Sequence, residues 1–145
     1  MREIASFAGH RIWREGPLIL FDQGSPFTLE HAERATELYS QVIGEEGIVL
    51  ILLDFQRAGS IDPETRKHLA HWGKTNSGCV CIAAVGGSFM VRTTLTLVVT
   101  AVKLLSGNQP EVGFFATREQ ATAWLHSQVP HLIPVKRVKR RSTLS

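Results

Sequence analysis

Residues 48–54 read IVLILLD, six apolar residues in a row closed by an acid, directly after Gly47. A strand with one wet face alternates apolar and polar residues, whereas an unbroken apolar run suits a strand covered on both faces. A second run, CVCIAAV over 79–85, has the same character. Between them lies FQRAGSIDPETRKHLAHWG, a polar loop followed by a helical pattern. Buried strands alternating with helices predict an α/β fold built on a mostly parallel central sheet of about five to six strands with about four helices.

The flanking segments fit that frame. EIASF, HRIWR and PLILFD predict early strands, with REGP as a turn. Ser25 and Pro26 are expected to open a helix in which Ala32, Ala35, Leu38, Tyr39 and Val42 form one apolar stripe. Asp62, Pro63 and Glu64 give a strong start signal for the next helix: a capping carboxylate, a ring that pre-sets the first turn, and an acid at the positive helix end. Leu69 and Trp72 mark its buried side, and Gly73 is expected to stop it. EVGFFA predicts the last strand, and Thr117 with Gln120 a capping box ahead of Ala121, Trp124 and Leu125.

Residues 89–107, FMVRTTLTLVVTAVKLLSG, are apolar enough to ask whether they cross a membrane. Arg92 and Lys103 interrupt the run, and the stretch between them is too short to span a bilayer. The β-branched residues argue for strand, but the length and the spacing of Val91, Leu95, Val98, Val102 and Leu105 argue for a helix over 89–105, capped by Ser88 and ended by Gly107. Its surplus apolar surface predicts packing against a partner subunit, so a homodimer through this helix is expected.

A chain of 145 residues with 43% hydrophobic and 20% charged residues has the size and balance of a single globular domain. The net charge of +3 belongs to the tail: KRVKRRSTLS, residues 136–145, holds Lys136, Arg137, Lys139, Arg140 and Arg141 and no acid. The remaining 11 basic residues face 13 acidic ones. The domain is therefore expected to span 1–135, followed by a disordered basic tail over 136–145 with weak electrostatic contact to an anionic polymer or membrane. No aromatic residue interleaves with those charges, which gives no support for stacking on bases or for sequence-specific nucleic-acid binding. The N-terminus lacks a secretory pattern. Cys79 and Cys81 would share one strand face, a poor geometry for bridging, and read as reduced core residues of a cytoplasmic protein.

Few residues point to chemistry. In an open α/β sheet, ligands gather beyond the carboxyl ends of the strands. Asp54 ends one strand; Gly86, Gly87 and Ser88 follow another and open a helix whose amides could hold an anion. Arg92 in that helix's first turn opposes the helix dipole unless it pairs with Asp54, Asp62 or a bound anion. Glu64, His68 and His71 share a helix face at spacings that suit a metal, but without further ligands they read as a solvated face. No nucleophile elbow, P-loop or dinucleotide fingerprint occurs, so no catalytic residue, metal or cofactor is assigned.

Order and spacing resemble the STAS domain, the SpoIIAA-like fold of bacterial anti-sigma-factor antagonists and sulphate-transporter tails. They resemble in particular uncharacterised bacterial STAS-like proteins, whose fold is also similar to CRAL-TRIO lipid-transfer domains. The residues that carry the likeness are IVLILLDFQRAGSIDPETRKHL and VGFFATREQATAWL, and it covers roughly residues 17–128. It implies a non-enzymatic regulatory or protein-interaction module with a protein partner. The alternative is a binding protein for a small apolar or anionic, lipid-like ligand, held at the carboxyl ends of the strands by Asp54, Ser60, Asp62, Gly86, Gly87, Ser88 and Arg92. In antagonists of that family the corresponding helix begins Asp-Ser-Ser-Gly and a serine there is phosphorylated. Here Asp62 matches, but the phosphorylated position falls on Glu64, and Ser60 and Thr65 do not fit the pattern.

Overall fold

The computed structural model describes residues 1–57, 61–86, 89–106 and 111–135, without the side chains of 89–91, 94, 105, 106 and 111. The chain runs β1 (Arg2–Phe7), β2 (His10–Glu15), β3 (Leu18–Asp22), α1 (Leu29–Glu46), β4 (Val49–Asp54), α2 (Pro63–Asn76), β5 (Val80–Val85), α3 (Phe89–Ser106), β6 (Glu111–Phe115), α4 (Arg118–Gln128) and a short 3-10 turn, Val129–His131.

The strands lie side by side in chain order. β1, β2 and β3 pair antiparallel, and β3, β4, β5 and β6 pair parallel. The sheet is therefore mixed, antiparallel at its first strands and parallel after them. Each parallel step needs a crossover, and α1, α2 and α3 supply the three.

Strand alternation sorts the core into two layers. Ile51, Leu53, Val80 and Ile82 point toward α1, α2 and α3, where they share one cavity wall with Tyr39, Trp72 and Leu95. Leu50, Leu52, Cys81 and Ala83 lie on the opposite face, with α4 packed across β4, β5 and β6. Gly113 belongs to that face: a Cβ there would meet Phe115 at 2.6 Å and Trp124 at 3.3 Å. All six apolar residues of 48–53 are buried or half-buried, as a strand covered on both faces requires.

Two local expectations are corrected. Ser25 and Pro26 do not open α1. Thr28 does: its hydroxyl accepts from the His31 amide, and His31 Nδ1 accepts from the Thr28 amide at 3.2 Å. Histidine stands where a capping box usually carries Glu or Gln. Gly73 does not stop α2, which continues to Asn76. A Cβ at Gly73 would lie 2.7 Å from Val102 Cγ2, so the glycine lets α2 and α3 approach closely.

The predicted helix over 89–105 is observed as α3, while its proposed caps at Ser88 and Gly107 lie outside the described residues. Asp62 caps α2 as expected, accepting from the Thr65 amide at 2.8 Å, with Pro63 at the first helical position. No helix among the described residues is long and apolar enough to cross a membrane.

Candidate functional site

The carboxyl edge of the sheet gathers charge on the α4 face. Asp22 and Asp54 are register partners on β3 and β4. Asp54 is 3% exposed, and both its oxygens are engaged: Oδ1 accepts from the Gln56 amide at 3.0 Å, and Oδ2 lies 2.8 Å from both Nε and Nη2 of Arg118. Arg118 also reaches Asp22 at 3.8 Å, and Arg57 pairs with Asp22 at 3.1 Å. Thr117 caps α4, accepting from the Gln120 amide, and this places Arg118 in the first turn over the sheet edge. A buried carboxylate held this way serves as a structural anchor.

Arg92 is not its partner. It faces the other side of the sheet, where its guanidinium lies 5.5 Å from the centre of the exposed Phe114 ring, a cation–π contact. Phe114 follows Gly113 by one residue and therefore points away from α4. Gly86 packs beside Gln56 with φ +74°. Asp62 stands apart at the start of α2, its carboxyl held below the usual value chiefly by the Thr65 amide. Ser60, Gly87 and Ser88 lie outside the described residues. The candidate residues from the sequence thus divide between two faces of the sheet and a helix start.

The helix face holds a different assembly. Thr36 on α1 and His68 on α2 are 2.8 Å apart, the spacing of a nucleophile and its base. The Thr36 hydroxyl also lies 3.0 Å from the Ala32 carbonyl and 3.1 Å from the Glu33 carbonyl, and when it donates to either of them its oxygen is left to accept from His68 Nε2–H. The pair ties α1 to α2, as does the bond from Trp72 Nε1 to Ser40 Oγ at 2.8 Å. His71 and Glu64 lie along the same side of α2. No group of three or more potential ligands among the described residues is arranged to hold a metal ion.

Beside this link runs an open groove of about 750 Å³, walled by Pro63, Glu64, Lys67 and His71 of α2 and by Leu97 and Ala101 of α3. Leu97 is 54% exposed, and Leu104, two turns on, is 81% exposed. This face combines unburied leucines with a rim of both charges.

A third feature, invisible to motif reading, is a histidine pair, one member buried and the other, His31, half-buried. His10 on β2 is 0% exposed. Its Nδ1 accepts from the Gly24 amide at 2.9 Å, so Nε2 carries the hydrogen and donates to His31 Nδ1 at 3.1 Å. Burial, then the neighbouring His31, lower the pKa of His10. The pair fixes the β3–α1 loop onto the β1–β2 turn, and at Gly24 a Cβ would meet the Gly9 carbonyl at 2.6 Å.

No family model and no curated protein matches the chain. Solved structures do. The protein TM1081, solved by NMR, superposes with a TM-score of 0.57 at 15% identity, covering 87% of this chain and 93% of its own. An uncharacterised protein of the DUF3478 family with a SpoIIAA-like fold, from Shewanella loihica PV-4, gives 0.55 at 18%, covering 80% and 91%. The anti-sigma factor antagonist SpoIIAA in its unphosphorylated form gives 0.52 at 16%, covering 81% and 96%.

Proposed function

We propose that this chain, which has the STAS-like, SpoIIAA-like fold, is a non-enzymatic regulatory module that binds a partner protein through its α2–α3 face. The observation that carries this reading is the pairing of exposed Leu97 with the charged rim of α2, with Leu104 exposed two turns further along the same stripe of α3. Apolar anchors within a polar rim are the usual anatomy of a protein interface. The likeness to a structure named as an anti-sigma factor antagonist supports the same class of role. Asp62 supports it too, because it rigidly sets the helix start that opens the groove. Glu64 stands where the antagonists carry their phosphorylated serine, so in this reading the face does not use phosphorylation at that position as a switch.

In this reading the protein works in a bacterial cytoplasm, with Cys79 and Cys81 buried and not joined in a disulfide. The tail over 136–145 adds a salt-sensitive contact to an anionic polymer or membrane.

Leu97→Glu tests the proposal. The variant keeps its melting temperature and loses binding to the partner that the wild-type chain captures. Retained binding would overturn the assignment of the face.

A further inference from the structure

Under α1, α2 and α3 the core is incompletely filled. A cavity of about 100 Å³ lies against the helix face of β4 and β5. Tyr39 and Trp72, whose rings stand 5.6 Å apart, form one wall, and Phe27, Phe55, Ile82 and Leu95 line it from other sides, leaving it partly open. Protein interiors pack nearly as densely as organic crystals, so an apolar void of this size is a specific feature of a core.

The lining decides what can enter. None of the described residues around the cavity is charged. Four polar side chains reach the lining, Gln23, Thr36, Tyr39 and Trp72, and the other lining side chains are apolar; Trp72 Nε1–H goes to Ser40, and Thr36 Oγ1 contacts Ala32 and His68. An anion or a sugar would lose its hydration and find little in return. Water needs two to four polar partners and is poorly served here, whereas an apolar cavity of about 150 Å³ stays dry and takes benzene or xenon. The cavity also has a wall able to yield, because Leu95 and Trp72 come from neighbouring helices, and Trp72 is only half-buried.

We propose that this cavity is a binding site for one small neutral hydrocarbon-like molecule, an aromatic ring or a short branched alkyl group. The site lies on the helix face of the sheet, across from the Asp54–Arg118 pair. It goes beyond the partner-binding reading and does not depend on it, because it uses the inner side of α2 and α3 and leaves Leu97 and Leu104 outside.

Benzene and xenon are the probes. Titrated into the full chain, each shifts the methyl NMR signals of Ile82 and Leu95 saturably and leaves those of Leu50 and Leu52, on the α4 face, unmoved. Benzene also raises the melting temperature saturably. Ile82→Phe fills the space from the sheet and Leu95→Phe from α3; each lowers benzene affinity by about tenfold or more. Equal shifts on both faces of the sheet, the absence of saturation, or unchanged affinity in either folded variant would overturn the site. If neither variant folds, the methyl map of the wild-type chain decides by itself. Leu97→Glu leaves benzene binding intact, so loss of the partner and loss of the cavity ligand are separate results.

Discussion

Arg118 holds Asp54 across 64 positions of sequence, with Nε and Nη2 each 2.8 Å from the same carboxylate oxygen. The contact fastens the first turn of α4 to the carboxyl end of β4. Removing Arg118 leaves a charge that is 3% exposed without its counter-ion. Breaking a fully buried pair costs about 3–5 kcal/mol. Arg118 is 43% exposed, so solvent screening reduces the expected loss for Arg118→Ala to about 2 kcal/mol. Adding Asp54→Asn recovers part of it, because an amide oxygen still accepts from Gln56. Urea denaturation of the two single variants and the double variant measures the coupling. Arg92→Ala, which loses an exposed cation–π contact with Phe114 and no ion pair among the described residues, stays near wild type.

Acid weakens the fold through His10. Its pKa is lowered in the folded state, so between that value and the ordinary 6.5 the unfolded chain binds more protons. Stability from this group is complete above 6.5 and is lost as pH falls through 6.5 toward the folded value. Denaturation midpoints at pH 7.5 and pH 5.5 differ accordingly. His10→Asn, which keeps an acceptor for the Gly24 amide but does not titrate, flattens the difference. An equal pH slope in this variant would assign the effect to other groups.

Asp62 acts as a cap. Asp62→Asn preserves the bond to the Thr65 amide, and Asp62→Ala removes it. Hydrogen exchange at Thr65 accelerates in the alanine variant and stays close to wild type in the asparagine variant. The lowered pKa of Asp62 adds that its contribution is present above the ordinary carboxylate range and fades as pH falls below it.

Gly73→Ala lowers stability although alanine favours helix. The new methyl would lie 2.7 Å from Val102 Cγ2, and overpacking of this kind costs about 1–3 kcal/mol. Pairing it with Val102→Ala makes room and restores part of the loss. Thermal melts of the three variants decide the matter.

Features set by neighbours in sequence were legible. The Asp62 cap, the doubly buried run at 48–53 and the strand–helix alternation all follow from patterns a few residues long. Features set by packing were not. Asp54 and Arg92 looked like partners because both end up near the carboxyl edge of the sheet, yet strand parity puts them on opposite faces. Arg118 was not singled out, because its pairing with Asp54 depends on how the first turn of α4 is placed over the sheet edge. Gly73 has the composition of a stop and the environment of a helix crossing. His31 fills a capping position usually held by Glu or Gln, so the true start of α1 went unmarked. The cavity leaves no local trace, because its lining comes from every layer on one side of the sheet.

The central claim is that the α2–α3 face is the partner-binding surface. Its most direct measurement is site-specific photo-crosslinking in cells, with a benzophenone side chain placed at position 97 and, as a control, at position 15 on the far edge of the domain. The account predicts that one partner protein becomes attached from position 97 only, and that Leu104→Glu suppresses the adduct. Attachment from both positions alike, or an adduct at 97 that survives Leu104→Glu unchanged, would contradict it.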